Sequence, residues 1–179
     1  MWKGALLQIS STDEPKENLE LINNMINSAA AKNVEFVALP ETANCISNSN
    51  LHKETVLQTE KEDITLASLT EVAKKKSIYI LIGSLAIKQG KPKNKFLNRS
   101  FLINPSGSII AKYDKLHMFD ATISDSEEYI ESASFVAGKN AKVISTAIGK
   151  FGLSICYDVR FPHLYRGLSQ CGAQLLTVP

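Results

Sequence analysis

Apolar and polar residues alternate from Lys3 to Ser10, with Ala5, Leu7 and Ile9 on one face, and this predicts a strand. The period then lengthens. Leu19, Ile22, Ile26 and Ala29 recur at helical spacing, with Ser11 or Thr12 as the expected cap and Pro15 in the first turn. Val34 to Leu39 is a short apolar run, read as a second strand. Strand, helix and strand over about forty residues make the βαβ unit of an α/β fold. Pro40 ends that strand and Glu41 follows directly. Residues 42 to 58 carry little periodicity and are expected to be loop.

A second helix is predicted from Ile64 to Lys76, with Ile64, Ala67 and Val72 inward. Lys74, Lys75 and Lys76 sit at its end, where cations complement the helix dipole. Ile78 to Ile87 is a strongly apolar strand. Phe96 to Asn104 and Ser108 to Tyr113 read as strands joined by the turn Pro105-Ser106-Gly107. Asp114 to Gly138 is irregular and rich in charge, and a loop of that length is functional or disordered. Ala141 to Ile148 and Phe151 to Cys156 pair as a hairpin. Pro162 opens a helix through Leu164, Tyr165 and Leu168, which Gly172 stops, and Ala173 to Val178 is a last strand. No repeat or linker divides the chain, so residues 1–179 read as one α/β domain.

Composition narrows the function. The formal net charge of +2 argues against nucleic acid or an anionic membrane as partner. Lys88, Lys91, Lys93 and Lys95 cluster without interleaved aromatics, which reads as a solvated hairpin tip. No apolar run approaches the roughly 20 residues of a membrane span. The opening MWKGALLQIS reads as a strand and not as a signal peptide. Three cysteines, Cys45, Cys156 and Cys171, form an odd set without such a signal, which suits a reducing, cytoplasmic setting. Their spacing lacks the paired ligands of a zinc site, and no glycine-rich phosphate loop is present. No metal or cofactor is therefore expected.

Three chemically useful residues lie just past strand ends: Glu41, Lys115 and Cys156. Ligands of α/β sheets bind where strands end. Cys156 stands between a strand and a helix start, a position expected to favour thiolate over thiol. A carboxylate, an ammonium and a thiol together can run acyl transfer. The carboxylate takes the thiol proton, the sulfur attacks a carbonyl or nitrile carbon, and the ammonium stabilises the oxyanion. A papain-like reading would use His117 or His163 as base. His163, seven residues after Cys156, lies about two helical turns on and would point away from the thiol.

Around this trio the chain resembles the nitrilase, or carbon–nitrogen hydrolase, superfamily. Leu39-Pro40-Glu41 resembles its glutamate motif and Tyr113-Asp114-Lys115-Leu116-His117-Met118-Phe119-Asp120 its lysine motif. Ile155-Cys156-Tyr157-Asp158-Val159-Arg160-Phe161-Pro162 resembles its cysteine motif. Asn98, Ser100, Gly107, Glu131-Ser132 and Gly138 also fit. Arg160-Phe161-Pro162 and Gly172-Ala173 are most similar to the Nit branch, whose members hydrolyse small ω-amides such as deaminated glutathione. His163 departs from that branch, which usually has an acidic residue there.

The resemblance implies a four-layer αββα sandwich. Family domains are longer, so the chain is expected to hold the N-terminal two-thirds of the usual domain, with the sandwich incomplete at the C-terminus. It implies hydrolysis of a non-peptide carbon–nitrogen bond in a small carboxyl-bearing amide, through a cysteine thioester, with release of ammonia or amine. It casts Cys156 as nucleophile, Glu41 as general base and Lys115 as oxyanion stabiliser. Glu131 holds the lysine or the substrate amide, and the Tyr157 N–H completes the oxyanion hole. Arg160 either faces the substrate carboxylate or pairs with Asp158. Full-length members are expected to be homodimers. The alternative is an inactive, shortened chain serving as an interaction module or without function.

Overall fold

The strongly apolar central strand is buried on both faces and divides its side chains between two cores. The structure, a computed structural model, describes residues 1–90, 95–124 and 127–179. Lys91 and Lys93 of the expected hairpin tip lie outside the described residues. The first half runs β1 (Gly4–Leu6), α1 (Pro15–Ala30), β2 (Phe36–Ala38), α2 (Asn50–Val56), α3 (Ile64–Lys76), β3 (Tyr79–Lys88), β4 (Phe96–Ile103) and β5 (Ile109–Asp114). The second runs β6 (Asp120–Ser124), β7 (Glu127–Ile130), β8 (Lys142–Thr146), β9 (Gly149–Leu153), α4 (Pro162–Gln170) and β10 (Leu175–Leu176).

Strands β1 to β5 form one sheet in sequential order, parallel from β1 to β3 and antiparallel from β3 to β5. Strands β10, β9 and β8 form a second sheet, and β6 and β7 a separate hairpin. On β3, Ile80 and Ile82 face the helices α1 and α3, where they meet Ile22, Ile26, Leu66 and Leu69. Leu81 between them faces the other sheet and joins Phe36, Leu102, Tyr113, Phe151 and Leu153. Helix α4 buries Leu164 and Leu168 and packs against β9. Helix, sheet, sheet and helix thus stack in the four layers expected. Each fully buried Leu, Ile or Phe contributes about 1.5–3 kcal/mol, so both cores hold the layers together. A cavity of about 790 Å³ remains between the sheet edges, lined by Trp2, Leu6, Phe36, Phe151, Leu175 and Val178 among others.

Several local expectations shift. Neither Ser11 nor Thr12 caps α1. Asn18, inside the helix and buried, reaches back, accepting from the Thr12 N–H at 2.9 Å and donating to the Thr12 and Asn44 carbonyls. Helix α3 keeps Val72 against the core but turns Ala67 outward. Asp63 caps it through the Leu66 N–H at 2.7 Å, and Leu66, Leu69 and Ala73 are buried while Ala67 is exposed. The supposed loop 42–58 contains α2, capped by the Ser49 hydroxyl accepting from the His52 N–H. The irregular stretch 114–138 contains the β6–β7 hairpin and a 3₁₀ turn, Glu131–Ala133.

Candidate active site

Glu41 is delivered by the end of β2. The Leu39 N–H still pairs with the Leu81 carbonyl at 2.9 Å. The chain then bends over β3: the Ser84 N–H donates to the Pro40 carbonyl, and the Thr42 N–H to the Ser84 hydroxyl at 2.7 Å. That approach requires glycine at 83, where a Cβ would stand 2.2 Å from the Leu39 oxygen and 2.4 Å from that of Pro40. Lys115 follows β5, with its N–H on the Asn98 carbonyl and its own carbonyl accepting from the Gly138 N–H at 2.8 Å. Gly138 is as constrained, since a Cβ there would meet the Asp114 oxygen at 2.2 Å.

Cys156 opens a 3₁₀ turn, Cys156–Arg160, just beyond β9. Its φ of 46° places a non-glycine residue in the left-handed region, as does the φ of 46° at Thr42 beside Glu41. Such conformations cost about 1–3 kcal/mol and persist where the surroundings enforce them. The enforcing group at Cys156 is Asp158, fully buried. Its carboxylate accepts from the Ile155 N–H at 2.9 Å, the Tyr113 hydroxyl at 2.6 Å and the His117 N–H at 3.1 Å, and it pairs with His117 Nδ1 at 2.7 Å. Burial, then the bond to Asp158, raises the Tyr113 phenol far above its ordinary range.

The trio meets with Glu131. Lys115 Nζ lies 3.0 Å from Glu41 Oε1 and 2.9 Å from Glu131 Oε2, with its side chain 3% exposed. Asn98 Nδ2 bridges the same two carboxylates, at 2.7 Å from Glu41 and 3.2 Å from Glu131. The Phe119 N–H holds Glu131 Oε2 at 2.7 Å. Burial works against the Lys115 charge, but Glu41 and Glu131 outweigh it and leave its pKa raised. Glu41, Asn98, Lys115, Glu131 and Cys156 all line one cleft of about 700 Å³.

The thiol departs from expectation. Cys156 is an exposed residue at the cleft. Partial desolvation of its sulfur, and then the Glu41 carboxylate beside it, push the thiol up to about 11, against the opposing pull of Lys115. The helix dipole was expected to favour thiolate, but α4 starts only at Pro162 and Glu41 is the nearer charge. That direction favours a resting thiol beside the Glu41 carboxylate, a proton acceptor.

Tyr157 is half-buried, its ring edge-on to Phe119 and Phe161. Arg160 is exposed and lies outside the residues lining the cleft. Its pairing with Asp158 does not occur, because Tyr113 and His117 occupy that carboxylate. His117 is also stacked on Phe161 at 3.6 Å, His163 is exposed, and neither lines the cleft, so the papain-like arrangement is not formed. Lys53, which also lines the cleft, is not singled out by the sequence, and Asp158 is expected there only as a partner of Arg160.

Residues 3–179 match the family described as carbon-nitrogen hydrolase. The chain belongs to that family. Among its relatives, the deaminated glutathione amidase of Synechocystis sp. (strain PCC 6803 / GT-S) is 37% identical over 98% of this chain and 64% of that protein. The deaminated glutathione amidase of Yersinia enterocolitica is 30% identical over 98% of this chain and 61% of its own length. The crystal structure of the Caenorhabditis elegans NitFhit protein superposes with a TM-score of 0.88 at 31% identity, covering 100% of this chain and 44% of that one. The carbon-nitrogen hydrolase chain thus spans less than two thirds of these relatives, whose names are those of the Nit branch its motifs resemble. Among the described residues no helix is long and apolar enough to cross a membrane.

Proposed function

We propose that the cleft hydrolyses the carbon–nitrogen bond of a small carboxyl-bearing amide, of deaminated glutathione or ω-amide type, through a thioester on Cys156. The supporting observation is the buried Lys115 ammonium clamped between Glu41 and Glu131 beside the Cys156 thiol. As Sγ attacks the amide carbon, its proton passes to Glu41, so no free thiolate is needed. The Lys115 ammonium and the Tyr157 N–H stabilise the oxyanion. Glu41 then gives the proton to the departing nitrogen, and ammonia or amine leaves. Glu41 next takes a proton from water as its oxygen attacks the thioester carbon. The adduct then breaks its C–S bond, Glu41 returns the proton to Sγ, and the carboxylic acid product leaves. Glu131 and Asn98 hold Lys115 and Glu41 in register throughout. The names of the relatives, deaminated glutathione amidases among them, support the amide class. A cytoplasmic setting and a homodimer belong to the same reading, the former supported by three unpaired thiols.

The test is ammonia release from a panel of small carboxyl-bearing amides by the wild-type chain and by Cys156→Ala. Turnover by the wild type alone is expected. Equal release by both would remove Cys156 from the chemistry, and none by either would favour a non-catalytic interaction module.

A further inference from the structure

We propose that Lys53 forms the subsite that receives the substrate's carboxylate, an assignment that rests on the amidase reading of the cleft. Lys53 is the buried residue of α2, only 6% exposed. A lysine is almost never buried to that extent unless paired. Its ammonium lies 5.5 Å from the centre of the Phe96 ring and 5.2 Å from that of Phe135. Among the described residues no carboxylate is within ion-pairing distance of it. The nearby Cys45 thiol offers no counter-charge, because burial and then Asp13 push it up to about 11. Desolvation correspondingly lowers the Lys53 pKa.

The buried Lys115 and the half-buried Arg99 are treated differently. Lys115 is shared by Glu41 and Glu131, and Arg99 is held by Asp114 and Glu60. Two aromatic faces stabilise an ammonium but do not neutralise it. Lys53 nevertheless lines the same cleft as Cys156 and Lys115. The other charged residues of that lining are Glu41, Glu127, Glu128 and Glu131, set against a Lys115 already committed to two of them. An anionic group is repelled across most of this cleft and is welcome at Lys53. An amide bound with its carbonyl at Cys156 and its far carboxylate at Lys53 satisfies both ends. The ligand class is the monoamide of a short dicarboxylic acid.

The experiment uses the full chain as wild type, Lys53→Met and Lys53→Arg. Methionine keeps the length and apolar stem against the two rings without the charge. Initial rates are compared on glutaramate and glutaramide, which differ only in carboxylate against carboxamide. For Lys53→Met the ratio of kcat/KM on the anionic amide to that on the neutral one should fall roughly 10- to 100-fold, mostly through KM. Lys53→Arg should recover most of it. A ratio within about threefold of wild type would overturn the subsite, since a merely structural lysine affects both amides alike.

Glutarate binding, measured by calorimetry in a Cys156→Ala background, separates this proposal from the amidase reading. Lys53→Met should weaken it by a similar factor. If neither amide turns over but glutarate binding depends on Lys53, the subsite stands and the amidase reading fails. Glutarate binding indifferent to Lys53 overturns the subsite, whatever the turnover.

Discussion

Glu41→Gln should lower kcat by about 10²–10⁴-fold while making the Cys156 thiol more acidic. The two effects run in opposite directions for one reason. In the resting site the Glu41 carboxylate sits beside the sulfur and disfavours a second negative charge there. Glutamine removes that charge, so the thiol titrates below its present value of about 11. The neutral amide cannot accept the thiol proton during attack, nor return it to the leaving nitrogen. Lys115 keeps its bond to Glu131, so the oxyanion site survives. Thiolate absorbance against pH and initial rates on the same protein read both quantities. Activity that rose with the more acidic thiol would show that thiolate supply, not proton transfer, limits the reaction, and would remove Glu41 as base.

Lys115→Met should cost both activity and stability. The lost oxyanion partner lowers kcat by about 10²–10³-fold. The structural cost arises because Lys115 is 2% exposed and neutralises two carboxylates at once. Without it, Glu41 and Glu131 share only the Asn98 amide between them. Breaking a buried ion pair by removing one partner costs about 3–5 kcal/mol, and the partial exposure of both carboxylates places this case near 3 kcal/mol. The denaturation midpoint and saturating rates test this together. A fully stable variant would mean that solvent already screens the carboxylates. Near-normal kcat would mean that the oxyanion is held elsewhere.

Much of this was legible along the chain because the motifs sit at strand ends, where local rules apply. Pro40 ends the apolar run of β2 just before Glu41, and the continuous apolar run of β3 suits a strand buried on both faces, with Ile80 and Ile82 in one core and Leu81 in the other. What sequence could not supply depends on partners far away in the chain. The Cys156 thiol is shifted against the local expectation because the fold partly desolvates the sulfur and then brings Glu41 beside it from the other sheet. The inward face of α3 was displaced because the Asp63 cap and the sheet beneath fix its phase, not the hydrophobicity of Ile64 and Ala67 alone. Asp158 reads in the sequence as a pairing partner for Arg160, yet it is the buried acceptor for Tyr113, His117 and Ile155. Lys53 lies in a polar stretch without periodicity, and only the fold shows that it is buried and faces the cleft.

Cys156 is expected to become acylated during turnover. The direct measurement is mass spectrometry of the chain quenched in acid while it hydrolyses a small amide, followed by mapping of the labelled peptide. The expected result is a mass increase equal to the acyl group, located on Cys156 and absent from Cys156→Ala. An increase on Cys45 or Cys171, or ammonia release with no acyl-enzyme under any quench time, would contradict it.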